Sequence, residues 1–324
     1  MSEPLTPGIS VVVPVYNSAD SLPLLVQRLI AALEPQGVAL EILLIDDRSR
    51  DRSWQVIEQL AAQDARVRGL RMMRNYGQHN ALLCGIRAAR HATTVTLDDD
   101  LQHPPEEIPT LLDRLKPGID LVYGVPNKEQ HGFWRDAASV ITKWGLQSAL
   151  GTATAMSVSS FRVFRTRLRA AFDTYDSPNV LLDVLLTWGT SSVAAVKVHH
   201  ATRTIGVSNY NFSKLVTHAL NMITGFSVLP LRLASLLGLV LTFFGLSVLM
   251  YVLIRYFVHG STVAGFTFIA SLVSIFSGAQ MLALGIIGEY LARMHLRIMR
   301  RPTYVVGEIA QGVKTSSESS SEQA

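Results

Sequence analysis

Residues 9–16 read ISVVVPVY, an unbroken apolar run after Ser10, rich in β-branched side chains. A strand with one wet face alternates apolar and polar residues. A run this continuous belongs to a strand covered on both faces, as in a parallel sheet. The period then changes: SLPLLVQRLIAALEP (21–35) places Leu22, Leu25, Leu29 and Leu33 on one side of a helix. LEILLIDD (40–47) is a second buried strand and DRSWQVIEQLAAQD (51–64) a second helix. VRGLRMMRN, HNALLCGIRAARH, TTVTLDDD and DLVYGV continue as strand, helix, strand and strand. Such alternation with short connections predicts an α/β domain, Rossmann-like, with a mostly parallel sheet and helices on both faces.

In these sheets ligands bind beyond the carboxyl ends of the strands. PVYN, DDRSRD, RNYGQH and DDDLQH all fall at those ends, so four polar motifs converge on one edge. The most charged is in TLDDDLQHPPEEIP (96–109). From an extended segment Asp98 and Asp100 point one way and Asp99 another. Two carboxylates can hold Mg²⁺ or Mn²⁺ while leaving positions open for phosphate oxygens. The other reading is a solvated turn with a capping aspartate before PPEEIP, and spacing alone does not say which aspartate ligates. Asp46 and Asp47 carry a similar choice. A carboxylate past a strand end accepts from ring N–H and hydroxyl donors, yet one of the pair is also suited to an N-cap or Asx-turn before RSWQVIEQL.

The chain has 324 residues, 48% hydrophobic and 17% charged, against the roughly 25% charged usual for globular domains. The excess apolar content lies in the last third, and the mean hydropathy is +0.27. FSKLVTHALNMITGFSV (212–228) puts Phe212, Leu215, Ala219, Met222 and Phe226 on one helical face, suited to a membrane interface. Residues 235–254 and 263–288 are uncharged and long enough to cross a hydrocarbon core of about 30 Å. Lys214 and Arg232 precede this pair and Arg293, Arg297, Arg300 and Arg301 follow it, so both flanks are expected in the cytoplasm and the link 255–262 outside. The net charge is only +4. The basic residues, including Arg162, Arg165, Arg167 and Arg169, flank apolar segments, which suits anionic lipid headgroups better than nucleic acid. MSEPLTPGIS lacks the basic and apolar regions of a signal peptide, so the N-terminal domain is expected to start in the cytoplasm. Cys84, the single cysteine, reads as a small core residue. The expected division is 1–205 as the α/β domain with an interfacial helix near 133–150, 206–230 as an amphipathic helix, 231–292 as a transmembrane pair, and 293–324 as a cytoplasmic segment disordered at its end.

VVVPVYN, LLIDDRSRD, RNYGQHNALLCGI and TLDDDLQHPPEEIP, in this order and spacing, resemble the family-two glycosyltransferases of the GT-A fold, in particular the bacterial polyprenyl-phosphate branch. The resemblance extends over residues 8–306. It implies a nucleotide-sugar donor, UDP-linked, and undecaprenyl phosphate as acceptor at the bacterial inner membrane. The reaction would be inverting transfer, giving a lipid-linked sugar for the cell envelope or lipopolysaccharide. It implies a homo-oligomer, a tetramer, and no nucleic-acid partner. By the same resemblance Pro14, Tyr16, Asn17, Asp47, Asn75 and Gly77 surround the nucleotide sugar, with Asp47 reaching the base or ribose. Asp98, Asp99 and Gln102 complete that site. Asp98, Asp100 and Gln102 would hold the Mg²⁺ or Mn²⁺, with Asp100 and Arg203 catalytic.

HHATRTIGVSNYNFSKL resembles a segment in which Arg203 clamps the diphosphate, a role suited to a planar guanidinium that keeps its charge. The plain alternative is a surface arginine beside a membrane helix. GFWRDAASVITKW resembles one whose Arg135 and Ser139 grip the acceptor phosphate, on a helix that is otherwise a core helix with a snorkelling arginine. Two positions depart from the pattern. Relatives carry an arginine after the fifth strand, where this chain has Lys128, and an aspartate where it has Met156. A phosphate acceptor is largely a dianion at neutral pH and has no proton to lose, so no obligatory general base is expected. Asp183 is then either a donor-sugar contact or a satisfied core group. The rivals are a non-catalytic membrane protein that binds sugar nucleotides and a polysaccharide synthase. The second lacks its Q-x-x-R-W motif here.

Overall fold

The computed structural model describes residues 4–126, 158–177, 180–199, 229–259, 265–299 and 301–312. Arg135, Ser139 and Arg203 lie outside the described residues, as do Lys128, Met156, the interfacial helix near 133–150 and the amphipathic stretch 212–228.

The predicted alternation is observed. β1 (Thr6–Val15), α1 (Leu22–Leu33), β2 (Leu40–Asp46), α2 (Ser53–Gln63), β3 (Val67–Met72), α3 (Gln78–Ala88), β4 (His91–Thr96), α4 (Ile108–Arg114) and β5 (Leu121–Pro126) follow in order. β1 pairs in parallel with β2 and β4, and β2 with β3. Val11, Val12, Val13 and Val15 are all fully buried, as a doubly covered strand requires. The leucine stripe of α1 closes one face. α3 closes the other, with Gly85 packed so tightly that a Cβ there would overlap Val12. Cys84 is buried in the same helix, and burial pushes its thiol up to about 12, so it is an inert core residue.

Three strands escape the hydrophobic pattern because they are short or half exposed: β6 (Arg162–Arg165), β7 (Val193–Val198) and β8 (Val306–Gln311). The full order is β7-β5-β6-β4-β1-β2-β3-β8. β6 is antiparallel to β4 and β5, and β8 antiparallel to β3, while β5 and β7 are parallel. A boundary at residue 205 therefore leaves out one strand of the sheet, which comes from the far end of the chain.

α5 (Leu182–Gly189) packs beside this sheet. α6 (Leu229–His259) and α7 (Phe266–Ile298) are the two apolar helices. Within them Leu231–Tyr251 and Ile275–Ala292 have mean hydropathies of 2.3 and 1.4, and neither is buried in the protein. That exposure separates them from core helices of similar composition. α6 continues through Arg255 to His259, so the link between the helices is shorter than the expected 255–262.

The arginines after residue 160 do not form the lipid-facing group expected from their spacing. Arg162 is buried against Asp183, and Arg169 is buried with its Nη1 donating to the carbonyls of Ile86, Arg87 and Ala89 at the end of α3. Arg165 and Arg167 both reach Asp120, at 3.5 and 2.9 Å. A buried ion pair accounts for Arg162 and helix capping for Arg169, while Arg165 and Arg167 pair with Asp120 at the surface.

Candidate active site

The parallel register sets Val15 beside Asp46 and Asp46 beside Arg71, so the loops after β1, β2 and β3 leave the sheet at one edge, joined by the loop after β4. They enclose an open cleft of about 750 Å³ lined by Pro14, Val15, Tyr16, Asp47, Asn75, Gly77, Gln78, Asp98, Asp99, Asp100 and Gln102. All eleven lie in the four motifs, and all but Val15 and Gln78 are among the residues expected from the sequence to contact nucleotide or cation. Asn17 does not line the cleft. Its Oδ1 accepts from the Arg50 N–H at 2.7 Å and its own N–H donates to Ser49 Oγ, tying the β1 and β2 loops together. Asn17, Arg48 and Leu101 have φ of 55°, 59° and 59°, and all three stand in loops at this edge. Left-handed backbone in non-glycine residues costs energy and gathers where a site demands it.

Asp46 and Asp47 divide the two roles open to them. Asp46 Oδ1 accepts from the Ser49 N–H, three residues on, at 3.0 Å and so closes the loop after β2, and its other oxygen pairs with Arg71 Nε at 3.2 Å. Asp47 turns to the cleft, with its two oxygens accepting from the N–H groups of Tyr76 and Gly77 at 2.6 and 2.8 Å. Gly77 meets it at φ 95°, a conformation that glycine adopts freely. Burial pushes the Asp47 carboxyl up to about 6, against the lowering effect of those two hydrogen bonds. Each oxygen keeps a lone pair for a ligand donor.

β4 ends at Thr96, so the three aspartates lie beyond the strand, Asp98 just after it and Asp99 and Asp100 in a turn. Strand alternation is therefore not what separates them; their partners are. Asp98 Oδ1 accepts from Gln78 Nε2 at 2.6 Å and Oδ2 from Ser160 Oγ at 2.7 Å. Asp99 reaches back to the β1 loop, accepting from Ser18 Oγ at 2.5 Å and the Tyr16 N–H at 3.2 Å. Burial first, and the negative charges of Asp98 and Asp100 after it, raise Asp99 to about 6. Asp100 Oδ1 accepts from the Gln102 N–H at 3.1 Å. Gln78, Ser18 and Ser160 were not singled out from the sequence. Gln78 stands inside the RNYGQH motif, but nothing in the spacing of Ser18 or Ser160 marks either one.

Asp183 does not line the cleft. It is buried, paired with Arg162 and accepting from Tyr123 Oη at 3.0 Å, so of its two readings the satisfied core group is the observed one.

An α/β sheet of this order with an acidic cleft at the carboxyl ends of its central strands defines an enzyme domain of the GT-A type. The model for Glycosyl transferase family 2 matches residues 10–172. The undecaprenyl-phosphate 4-deoxy-4-formamido-L-arabinose transferase of Shewanella sediminis is 34% identical over 318 residues, covering 96% of each chain. Its namesake in Pseudomonas paraeruginosa is 33% identical over 98% of this chain and 94% of its own. The chain belongs to glycosyl transferase family 2 and is a glycosyltransferase. Among solved structures, glucosyl-3-phosphoglycerate synthase from Mycobacterium tuberculosis, in complex with Mn²⁺, UDP-glucose and phosphoglyceric acid, shares the fold. Its TM-score is 0.50 at 18% identity, over 67% of this chain and 78% of that one.

Proposed function

We propose that this protein transfers a sugar from a UDP-linked donor to undecaprenyl phosphate at the membrane surface, inverting the anomeric carbon and leaving a sugar–phosphate–lipid. The observation that carries the reading is electrostatic. Four carboxylates, Asp47, Asp98, Asp99 and Asp100, line the cleft, and among the described residues no basic side chain does. A diphosphate entering alone would be repelled, so a cation must come with it. The donor set suits a hard divalent ion, being all oxygen: Asp98, Asp100 and the Gln102 amide. Among the described residues no three His, Cys, Asp or Glu side chains gather as a metal cluster. Mg²⁺ or Mn²⁺ held by one or two carboxylates takes its remaining ligands from phosphate and water. Bound there, it would offset the charge developing on the departing diphosphate.

The chain's own residues supply the rest. Asp47 accepts from the nucleoside, and Tyr16 stands at the mouth of the cleft. Arg203 adds a second positive charge at the diphosphate, and Arg135 and Ser139 hold the acceptor phosphate. That phosphate attacks as a dianion, so its placement, and not a proton acceptor, sets the rate. The curated relatives over nearly the whole chain are named for transfer to undecaprenyl phosphate, and α6 and α7 offer a pair of spans to keep the cleft at the depth of that headgroup.

The test is incubation of the purified full-length protein with undecaprenyl phosphate and a panel of labelled UDP-sugars. Metal-dependent label in the lipid fraction is expected. Tight UDP binding without transfer from any donor would favour a non-catalytic sugar-nucleotide binder.

A further inference from the structure

Ser160 lies in the turn that enters β6, outside the cleft lining, yet its side chain ends on a cleft residue. Its hydroxyl donates to Asp98 Oδ2 at 2.7 Å. A hydroxyl has one hydrogen, so toward His103 it must accept, and His103 Nε2, 3.2 Å away, carries the proton between them. His103 is itself buried and stacked on Phe161, with ring centroids 5.2 Å apart. The backbone of Ser160 is held as firmly. Its carbonyl accepts from Thr96 Oγ1 at 3.0 Å and from Arg162 Nε at 3.4 Å. Arg162 is fixed in turn by its ion pair with Asp183, which also accepts from Tyr123. The hydroxyl is thus set in place by β4 on one side and by a buried charged pair on the other.

We propose that Ser160 is a positioning residue for the cation site. It holds one oxygen of Asp98 while Gln78 holds the other at 2.6 Å, so the carboxylate is presented to the cleft in a single orientation. The buried Arg162–Asp183 pair has a role in this arrangement too, as the anchor of the Ser160 carbonyl. A ligating carboxylate that is free to rotate must be ordered when the ion binds, and partners that pre-order it raise affinity. The proposal rests on the reading of Asp98 as a cation ligand.

The test is a Mn²⁺ titration followed by electron paramagnetic resonance, on the full-length protein in detergent with UDP present. Ser160→Ala should weaken Mn²⁺ binding about tenfold or more, as loss of such a partner does at other metal sites. Ser160→Thr, which keeps the hydroxyl, should stay near wild type. The melting temperature of the metal-free protein should be the same in all three. Should Ser160→Ala fail to fold, Ser160→Cys, similar in shape but a weak donor, replaces it with the same expected loss. Mn²⁺ affinity unchanged by Ser160→Ala, where Asp98→Asn abolishes it, overturns the positioning role. If the wild type with UDP binds no Mn²⁺, the cation reading itself falls, and this proposal with it.

Discussion

Three neighbouring aspartates make three different sets of contacts, and mutations should tell them apart. Asp98 and Asp100 line the cleft and are the carboxylates read as cation ligands, so Asp98→Asn and Asp100→Asn should each lower turnover by about 10²-fold or more. Asp99 gives one oxygen, Oδ2, to the Tyr16 N–H and Ser18 Oγ, tying the β4 loop to the β1 loop. An asparagine there keeps an acceptor oxygen, so Asp99→Asn should cost about 1 kcal/mol of local stability and little rate. Equal loss at all three in a steady-state assay would mean the ligand assignment is wrong. Asp47 gives a pH signature. With its carboxyl at about 6, it gains a proton as pH falls through that value, and affinity for a UDP-sugar should fall with it. The diester diphosphate of a UDP-sugar does not titrate in this window, and Asp47→Asn should remove the part of the dependence due to Asp47, leaving that of Asp99, also raised to about 6. Calorimetric titration from pH 5 to 7.5 measures both. Without ligand the sign reverses. A raised carboxyl pKa contributes stability that is full below the ordinary value of about 3.9 and is lost as pH rises through about 6.

β8 is the element whose placement matters most. Its Glu308 pairs with Arg71 at 3.0 Å, and Arg71 with Asp46, the neighbour of Asp47. Removing the chain from Val306 onward would bare the β3 edge and leave Asp46 and Arg71 without their outer partner. The truncated protein should aggregate in detergent, read by size exclusion, because an exposed edge strand invites pairing between chains. The β5–β6–α5 junction offers a second test. Arg162→Met strands Asp183 in the core and should destabilise by about 3–5 kcal/mol, seen as a lower melting temperature. An unchanged melting temperature would show the pair to be dispensable to the fold.

Across the molecule, β8 constrains how the apolar helices can cross a bilayer. The strand after α7 pairs with β3, which precedes α6, and one sheet cannot be divided by a membrane. If α6 and α7 span, they must enter and leave on the same side. By the positive-inside rule the basic flanks would place that side in the cytoplasm, which is the orientation we propose. Reporters fused after residue 312 should be active in the cytoplasm only, and one placed in the link between α6 and α7 in the periplasm only. A C-terminal reporter active in the periplasm would require β8 to leave the sheet.

The central strands, the helices between them, the apolar pair and the acidic edge were all legible in the sequence, because each writes a local pattern. Burial on both faces leaves a run such as VVV, helical packing leaves a stripe such as that of α1, and a ligand edge leaves polar residues after a strand. Most of the cleft lining was visible too, since Pro14, Tyr16, Asp47, Asn75, Gly77, Asp98, Asp99, Asp100 and Gln102 stand in four such motifs. Other features have no local trace. β6, β7 and β8 are strands chiefly because a neighbour's edge was open to them, and a sequence period does not record a neighbour. Arg162 and Arg169 looked like surface charge until Asp183 and the end of α3 were seen beside them. That Asp46 pairs with Arg71 while Asp47 accepts from Tyr76 and Gly77, and that Ser160 holds Asp98, depends on contacts across tens of residues. Hydrogen bonds form between groups that folding brings together, so only the tertiary structure could decide them.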